Sequence, residues 1–426
     1  MSNVSSLTIL KEGKTKKILT SPDLSIKGLA VVESKDDITA ENGKKHDVIV
    51  GKGVLSNTTT CNVFRLLKEC NIPVAFKEKL SENEFLAEKC EMLPYEVVVR
   101  REAHGSFLKR HPFLKKGHVF PRLKTEFFLK TSQKKWNEHY LLADDPLAMI
   151  NQNNEMDLFI PNEPVYEQKP FLTLSNYPLK GEPGLFSDMD YTAKQVFLIL
   201  EKAWQLIGKR LVDFKLEFGF NRKGEILLAD VIDNDSWRLL DSDHYLDKQV
   251  YRDNGQLNQV TKNYKFVAEA TKSFGIPNQQ VILWRASSKD NLDEIVDGLK
   301  YYGITNIQFV TKSIHKEPGS VQMLHSLIQE VPSSMLIVLC GRSNGAGPTL
   351  SAQCVVPTIT VPASYRDFPD DVWSSLRTPS NVPSLMVLEQ KNAAMAAAQI
   401  LALQNPLIYS LIKIDQERHL YNFVEI

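Results

Sequence analysis

A charged stripe on a predicted β-hairpin is the part of the sequence best suited to chemistry. From Leu211 to Leu240 polar and apolar residues alternate with a period of two, and residues 221–224 (NRKG) interrupt the alternation. This pattern predicts two antiparallel strands joined by a turn. Asp213, Lys215 and Glu217 then share one face of the first strand, with apolar residues on the other face.

The register of this hairpin decides which charges meet. We expect the turn to pair Phe220 with Glu225. In that register Lys215 lies opposite Asp230, and Glu217 lies on the diagonal to Asp230, about 7–8 Å away between Cβ atoms. Two carboxylates at that separation can share one Mg²⁺, and Lys215 would steady phosphate oxygens. A solvated face of an edge hairpin is the alternative, but a tail dense in acids, with a Trp and an Arg, follows and favours a site.

Length and composition predict a two-domain soluble protein. The chain has 426 residues, more than one hydrophobic core usually organises, with 43% hydrophobic and 24% charged residues. Lys+Arg and Asp+Glu both number 51, so no overall positive field favours nucleic acid as a partner. The five cysteines are scattered without metal-ligand spacing, which indicates thiols in a reducing compartment.

The sequence predicts a cytosolic protein without membrane spans. The N-terminal residues lack the basic and apolar regions of a secretory signal. The longest apolar runs, such as Met335–Cys340, have the length of a strand, far below the ~20 residues that span a bilayer.

Periodicity outlines the two domains. Helices are predicted over residues 56–70, 190–208 and 256–274, whereas residues 130–190 show little periodicity and predict a long irregular excursion. After Gly275 the composition changes to short β-rich runs separated by helical patterns, which is typical of a parallel sheet with crossover helices. These runs are 281–284, 307–311, 335–339 and 358–361.

Several motifs in the first domain occur together. The hairpin contains DFKLEFG (213–219) and LADVIDNDSWRL (228–239), and DKQVYRD (247–253) follows; EGKTK (12–16) and VRREAHGSFLKR (99–110) precede it. In this order they resemble SAICAR synthetase, the ligase that joins aspartate to carboxyaminoimidazole ribotide (CAIR) with ATP. The resemblance implies an α+β domain with antiparallel sheets, similar to the ATP-grasp fold, over residues 1–264, followed by a linking helix at 265–278.

The resemblance also implies roles for individual residues. Glu217 and Asp230 would hold Mg²⁺, and Asp213 and Lys215 are the catalytic candidates of this domain. ATP would be bound by Lys14, Thr15, Lys16, Glu91 and Asp230. CAIR and aspartate would be bound by Lys35, Asp36, Arg100, Ser106, Lys109, Arg110 and Arg238. A solvated loop acid is the alternative for Glu91, and a solvated basic face is the alternative for residues 109–111.

A glycine-rich turn marks the second domain. The apolar run 337–340 leads into GRSNGAGP (341–348), and such a turn after a parallel strand can place N–H groups around a phosphate. A tight structural turn is the alternative. The stretch, together with DVWSSLRTPS (371–380), resembles AIR carboxylase as it is fused to SAICAR synthetase in animals. AIR carboxylase makes CAIR from aminoimidazole ribotide (AIR) and CO₂. An α/β domain with a three-layer parallel sheet is therefore expected over 279–426.

The candidate carboxylase site combines matches and departures. His315 would move the proton near neutral pH. AIR and CO₂ would be bound by Ser287, Asp290, Ser313, Lys316, Gly341, Arg342, Ser343, Asn344 and Gly345. The family's M-G-S-T-S-D reads R-A-S-S-K-D at 285–290, and its S-A-H-K-G-P reads S-I-H-K-E-P at 313–318. The substituted residues are Ala286, Lys289, Ile314 and Glu317.

The resemblance implies a bifunctional enzyme of purine biosynthesis. It would carboxylate AIR without ATP or another cofactor, and it would then ligate CAIR to L-aspartate with ATP and Mg²⁺. Family likeness implies a homo-octamer. One alternative is an active ligase whose second domain is an impaired assembly scaffold, and another is a binding protein with a decayed nucleotide pocket. Neither a nucleic acid nor a membrane is an expected partner.

Overall fold

The computed structural model of the protein describes residues 7–40, 45–137, 139–182, 184–342 and 344–424, with the backbone alone for 420–424. The chain divides into two compact units, residues 1–275 with 417–426, and residues 276–416. No helix in the described ranges combines the length and apolar character needed to cross a bilayer.

The first unit is rich in antiparallel strands. In chain order its strands are Thr8–Glu12 (β1), Lys16–Thr20 (β2), Leu29–Ser34 (β3), Asp37–Ala40 (β4), Lys45–Val48 (β5), Phe76–Lys79 (β6), Glu84–Glu88 (β7), Glu91–Glu102 (β8), Val119–Leu129 (β9), Lys135–Trp136 (β10), His139–Tyr140 (β11), Leu147–Ile150 (β12), Met156–Phe159 (β13), Leu172–Leu174 (β14), Arg210–Phe220 (β15), Ile226–Ala229 (β16), Trp237–Asp241 (β17) and His244–Tyr245 (β18). Its helices are Pro22–Lys27 (α1), Lys52–Glu69 (α2), Ser106–Arg110 (α3), Leu185–Leu206 (α4), Gln249–Arg252 (α5) and Leu257–Ala270 (α6).

Two sheets organise this unit. Among the described residues, a five-stranded sheet has the order β1-β2-β3-β7-β6, and a nine-stranded sheet has the order β14-β13-β12-β9-β8-β15-β17-β18, with β16 paired to β15. Neighbouring strands in both sheets are antiparallel. Strand β15 therefore pairs with β8, β16 and β17 and lies near the middle of the larger sheet.

The two faces of β15 have different surroundings. Phe214, Leu216 and Phe218 are at most 2% exposed, and Phe214 meets Phe197 of α4 edge-on at 5.3 Å between ring centroids. Burying each of these side chains contributes about 1.5–3 kcal/mol, so α4 anchors one face of the strand. The alternate positions carry the charged side chains on the opposite face.

The hairpin register differs from the prediction by one residue. Strand β15 pairs Phe220 with Ile226 and Glu217 with Ala229, so the predicted pairing of Phe220 with Glu225 is wrong. The reason lies in the turn, where the Asn221 side-chain oxygen accepts hydrogen bonds from the N–H groups of Lys223 and Glu225 and closes a longer loop. Lys215 consequently does not lie opposite Asp230.

Residues 130–190 are more regular than predicted. Strands β12, β13 and β14 extend the large sheet beyond β9, and Met156 and Leu158 of β13 are fully buried. The strands are only three or four residues long, which is too short for their alternation to stand out in the sequence. Helix α4 also starts at Leu185, five residues before the predicted N-terminus.

Helix α6 belongs to the first unit. It packs against α2, and Val260 and Tyr264 are buried in a cluster with Ile38 and Tyr251. Residues 265–275, predicted to link the domains, are therefore grouped with the first unit, as are residues 417–426.

The second unit contains a parallel sheet. Its strands are Gln280–Arg285 (β19), Ile307–Thr311 (β20), Ser334–Cys340 (β21), Thr358–Pro362 (β22) and Leu385–Met386 (β23). Its helices are Asp293–Tyr301 (α7), Val321–Glu330 (α8), Ala346–Ser351 (α9), Trp373–Leu376 (α10), Gln390–Leu401 (α11) and the start of Pro406–Val424 (α12). In the described part of the chain the strand order is β20-β19-β21-β22-β23, with every pair parallel.

Alternate residues of its central strands face two separate cores. Val281 and Leu283 of β19 pack in a cluster with residues of α7 and α11, whereas Ile282 and Trp284 pack with residues of α8 and α9. Helices thus cover both faces of the sheet, as parallel sheets require. The predicted α+β first domain and three-layer α/β second domain are confirmed.

Substitution of a glycine in α9 would test how closely this helix packs against the sheet. A Cβ at Gly347 would overlap the Cγ2 methyl group of Thr360 on β22. We expect Gly347→Ala to lower the free energy of unfolding of this unit by about 1–3 kcal/mol, because the buried helix has to move away from the sheet. Urea denaturation measures the effect. Gly319→Ala is the matched control, since nothing lies within 4 Å of the added Cβ. Equal midpoints for both variants would contradict the prediction.

Candidate active sites

Three adjoining cavities of the first unit share lining residues on β15, β16 and the segments beside them. We call these cavities the apolar cleft (about 500 Å³), the lysine-rich cavity (about 220 Å³) and the arginine-rich cavity (about 310 Å³). The apolar cleft and the lysine-rich cavity share Lys16, Glu217 and Asp230. The lysine-rich and arginine-rich cavities share Lys215, Asp235, Ser236 and Arg252. The three cavities therefore form one continuous site.

The apolar cleft is lined by both sheets. Apolar side chains supply much of its wall, namely Leu10, Ile18, Ala30, Val32, Ala75, Phe76, Phe85, Ala87, Met92 and Ala229. Gly219 lets β8 approach closely here, because an added Cβ would lie 2.8 Å from the Cβ of Cys90. A mostly apolar slot with charged groups at one end suits a flat ring that carries an anionic tail.

Glu217 and Asp230 meet at the junction of the apolar cleft and the lysine-rich cavity. Asp230 follows the end of β16 with a φ of 65°, and this left-handed conformation redirects its side chain after the register shift. Asp230 forms an ion pair with Lys16, and Glu217 Oε2 lies 2.6 Å from Lys130 Nζ. The two acids therefore line one space, as predicted, although by a different backbone route.

Lysines control the ionisation of this part of the site. Burial raises the pKa of Glu217, but Lys130, with help from Lys16, outweighs burial and holds it below its ordinary value. Burial lowers the pKa of Lys16 to about 8. Lys215 does not lie between the two acids. Its Nζ is 3.1 Å from Glu96 Oε2 on β8, and this carboxylate raises the pKa of Lys215.

Asp235 is a third acid of the site, which the sequence prediction did not include. Its carboxylate lies 3.6 Å from Lys52 Nζ and 3.2 Å from Lys248 Nζ, and it accepts a hydrogen bond from the Tyr264 hydroxyl. Burial alone would raise its pKa, but Lys52 and Lys248 lower it. Asp235 therefore stays ionised and holds Lys248 at the wall of the lysine-rich cavity.

A row of buried, alternating charges supports the arginine-rich cavity. Glu126 accepts from Arg110 Nε at 2.9 Å and from Arg100 Nε at 2.7 Å. Asp213 accepts from Arg100 Nη1 at 2.5 Å and from Arg238 Nη1 at 2.6 Å. Each buried charge thus has an opposite partner, which burial of charge requires. Three guanidinium groups face two carboxylates, so the row has a surplus of positive charge for an anion.

Asp213 orients the two arginines that face the cavity. It lies between Arg100 of β8 and Arg238 of β17 in the cross-strand register. Gly105, with a φ of 58°, lies against Arg238, and a Cβ there would overlap its Nη2. Ser106 completes the wall. Sequence reasoning placed Asp213 among the catalytic residues, and its carboxylate contacts Arg100 and Arg238.

Lys35 and Asp36 lie between β3 and β4, and both are engaged in ion pairs or hydrogen bonds. Lys35 Nζ lies 2.8 Å from Glu12 Oε1 and 3.5 Å from Asp37 Oδ2. Asp36 accepts hydrogen bonds from the backbone N–H groups of Gly51 and Gly53 at the start of the helix. Neither predicted residue lines the three cavities. Lys14 and Thr15, in contrast, line the lysine-rich cavity beside Lys16.

Three further predicted residues also lie away from the cavities. Glu91 is an exposed residue at the start of β8, although its neighbours Cys90 and Met92 line the apolar cleft. Lys109 is exposed on α3. Arg110 is fully buried, and its guanidinium is held by Glu126 and by the carbonyl oxygen of Pro161, so it supports the row of charges from behind.

The glycine-rich turn of the second unit lies beside the predicted proton carrier. A Cβ at Gly345 would lie 3.9 Å from His315 Cε1, and one at Gly341 would lie 3.0 Å from Asp290 Oδ1. Asp290 Oδ2 accepts a hydrogen bond from the backbone N–H of Ser287. The structure thus brings together segments from the ends of β19, β20 and β21, where parallel sheets bind their ligands.

Asn344 is an unusual feature of this turn. It is 1% exposed, and within the described residues neither its amide nitrogen nor its amide oxygen has a hydrogen-bond partner. Its backbone carbonyl accepts a hydrogen bond from the Ser375 hydroxyl, which fixes the turn. A buried amide with free donor and acceptor groups is suited to a small polar ligand.

The remaining predicted residues surround this turn. The Arg342 guanidinium stacks on the Phe368 ring at 3.9 Å. The carbonyl oxygen of Ser313 accepts from the N–H of Lys316, whose side chain is exposed. Ser343 lies outside the described residues.

Comparisons with known proteins match both units to known families. A family model for SAICAR synthetase matches residues 9–157 and 175–271, and one for AIR carboxylase matches residues 280–420. The Gallus gallus protein named multifunctional protein ADE2 is 36% identical over 95% of this chain and 92% of its own length. The Homo sapiens bifunctional phosphoribosylaminoimidazole carboxylase/phosphoribosylaminoimidazole succinocarboxamide synthetase is 35% identical over the same shares. The chain belongs to this bifunctional family.

A solved structure supports the fold of the first domain. The phosphoribosylaminoimidazole-succinocarboxamide synthase of Ehrlichia chaffeensis is 28% identical and superposes with a TM-score of 0.50, over 64% of this chain and all of that one. SAICAR synthetases use ATP. The predicted resemblance to the animal bifunctional enzyme is confirmed, and the interpretation of the second domain as an impaired scaffold is not favoured.

Sequence reasoning missed several residues of the bifunctional enzyme's first site. Asp235, Lys248 and Arg252 lie within the motifs DNDSWR and DKQVYRD, so the motifs pointed to them without showing which side chains face the cavity. Lys130 directly follows β9 and Glu96 lies on β8, and they gave no sequence signal, because strand pairing alone brings them to β15.

The buried Asp247 generates a pH-dependent prediction. It is fully buried, accepts from the N–H groups of Leu239 and Gln249, and its pKa is raised by burial to about 7. The folded protein holds this proton more tightly than the unfolded chain between about pH 4 and pH 7, so stability falls as pH rises through that window. Between about pH 4 and pH 7, the free energy of unfolding of the wild type should therefore fall by about 2–4 kcal/mol relative to that of Asp247→Asn.

Urea denaturation at several pH values checks this expectation. Asp243→Asn is the control, because the Asp243 side chain is 98% exposed and its removal should leave the pH profile unchanged. A constant difference between the wild type and Asp247→Asn from pH 4 to pH 8 would show that Asp247 titrates normally.

Proposed function

We propose that the first domain joins CAIR to L-aspartate with ATP and Mg²⁺, giving SAICAR, ADP and phosphate. The second domain makes that CAIR from AIR and CO₂ without ATP or another cofactor. The continuity of the three cavities carries the first part of this proposal. A nucleoside, a chain of phosphates and an anionic acceptor need three adjoining spaces of these polarities, and shared residues connect them here.

ATP fits the first two cavities. Its base and ribose would occupy the apolar cleft, and its phosphates would lie in the lysine-rich cavity against Lys14, Thr15 and Lys16. Lysines and a hydroxyl supply the charge and hydrogen bonds that phosphate oxygens require. Lys215 lines the lysine-rich and the arginine-rich cavity, so it is placed to hold the phosphoryl group that passes between substrates.

Glu217 and Asp230 fit a magnesium ion. No group of three or more His, Cys, Asp or Glu in metal-binding arrangement occurs in the described ranges. Mg²⁺ in nucleotide sites is usually held by only one or two carboxylates, with substrate phosphates supplying further oxygen ligands. The metal would offset the charge on the phosphates during phosphoryl transfer.

CAIR fits the arginine-rich cavity. Arg100, Arg238 and Ser106 would bind its anionic groups, with Asp213 fixing both guanidinium groups. The CAIR carboxylate oxygen attacks the γ-phosphorus, the bond to ADP breaks, and an acyl phosphate forms. The aspartate amine then attacks the acyl carbon, and phosphate leaves as the amide bond forms. Asp36 and Arg110 would act through their contacts with the start of α2 and with Glu126, and Lys35 and Lys109 lie outside the three cavities.

In the second domain the glycine-rich turn would hold AIR. The nucleophilic ring carbon attacks CO₂, and His315 takes the proton from that carbon so that the ring regains its aromaticity. Binding would involve Ser287, Asp290, Ser313, Lys316, Gly341, Arg342, Asn344 and Gly345, with Ser343 assigned from sequence alone. On the basis of family likeness, we also propose that the protein is cytosolic and assembles as a homo-octamer.

The acid pair provides the main test of the ligase. We expect Glu217→Gln and Asp230→Asn each to lower SAICAR synthesis from CAIR, aspartate and MgATP by roughly 100- to 1000-fold, because the metal contributes several kcal/mol to such reactions. Release of ADP measures the rate. Carboxylation of AIR by the same variants is the internal control and should stay normal. Glu91→Gln, at an exposed position, should ligate at the wild-type rate. Wild-type turnover by either acid variant would refute the metal assignment.

His315 provides the converse test. His315→Ala should lower CAIR formation from AIR and bicarbonate, without ATP, by roughly 100-fold or more, as expected for removal of a general acid–base group. Ligation of supplied CAIR should be unchanged, which shows that the first domain is intact. His325→Ala is a matched control, since that histidine is on α8 and contacts the carbonyl oxygen of Gln353. Undiminished carboxylation by His315→Ala would remove this histidine from the mechanism.

A further inference from the structure

The loop that carries His315 also carries an acid whose charge needs an explanation. Glu317 lies two residues beyond His315, at the site proposed for AIR. AIR is a phosphate ester and therefore an anion, so a nearby unpaired carboxylate would weaken its binding. The loop is a tight turn, in which the N–H groups of Lys316 and Glu317 both donate to the carbonyl oxygen of Ser313.

The bulk of Ile314 does not account for this arrangement. Ile314 is only 5% exposed and packs in the core cluster with Trp284, Val310 and Leu324. Its side chain thus anchors the loop to the sheet. The extra volume relative to the family's alanine is absorbed by the core, which leaves the charge of Glu317 as the substitution in this loop that matters for an anionic ligand.

Lys312 compensates this charge directly. Its Nζ lies 2.7 Å from Glu317 Oε2. The backbone of Lys312 is fixed on both sides, because its N–H donates to the carbonyl oxygen of Arg285 and its carbonyl oxygen accepts from Trp284 Nε1. The lysine therefore projects from an anchored point at the end of β20.

We propose that Lys312 is a positioning residue for AIR binding that acts through Glu317. The pair neutralises the carboxylate of Glu317 and ties it toward β20. Lys312 is then needed only while Glu317 is present. This inference rests on the proposed carboxylation of AIR and concerns affinity rather than the chemical step.

The test is a double-mutant cycle on the full-length protein. Lys312→Ala should raise the KM for AIR roughly two- to fivefold, the size of effect that one exposed ion pair supports, with kcat nearly unchanged. The increase should shrink between about 20 mM and about 300 mM NaCl, because salt screens exposed charges. The double variant Lys312→Ala with Glu317→Gly should return KM to the wild-type value, and Lys312→Arg should retain it.

Controls separate this effect from a general loss of surface charge. Lys272→Ala removes a lysine from another exposed ion pair, with Glu269 at 2.6 Å, and should leave the KM for AIR unchanged. Glu317→Gly alone should bind AIR at least as tightly as the wild type. Equilibrium dialysis with AIR in the absence of CO₂ measures binding without catalysis.

The outcomes distinguish this inference from the proposed function. If the wild type forms CAIR but Lys312→Ala has a normal KM, or if the double variant is not restored, the inference is wrong and the function stands. If the wild type forms no CAIR, the function fails. Dialysis then decides the inference, which falls if AIR does not bind or if Lys312→Ala binds it equally well.

Discussion

Compensation of charge along one face of β15 is the constraint on which the first domain depends. Asp213, Lys215 and Glu217 follow one another on that face, and each is paired with a side chain from another strand or loop segment. Burying Asp213 and Glu217 without partners would cost several kcal/mol each. The ion pairs offset that cost and also fix the orientation of each charged side chain before any substrate binds.

The opposite face of the same strand supplies the stability that this arrangement needs. Phe214, Leu216 and Phe218 are buried against α4 and its neighbours. Packing of the apolar face thus fixes the position of the strand, and this also fixes where the charged side chains of the opposite face lie. A continuous site results because one rigid strand contributes to all three cavities.

The second domain reaches its site by a different route. Turns after three parallel strands converge at one edge of the sheet, and backbone groups and glycines rather than a charged stripe shape the space around His315. Its departures from the family lie in these turns. Ile314 is taken up by the core and Glu317 by an ion pair with Lys312, so substitutions at a site have to be judged by where their side chains go.

The sequence by itself determined the two fold classes and indicated many of the residues that line the cavities of the first unit, because periodicity and motif order are local properties. Glu217 and Asp230 were predicted as a pair from alternation together with a register that is wrong by one residue. Only the tertiary structure shows how the backbone brings their side chains into one space, through the turn at Asn221 and the left-handed conformation of Asp230. It also showed that Asp213 contacts two arginines, that Asp36 contacts the start of α2 and that Arg110 contacts Glu126, and it brought Lys130 and Glu96 to the cavities. Such roles depend on cross-strand register, backbone hydrogen bonding and burial, which arise between segments far apart in the chain.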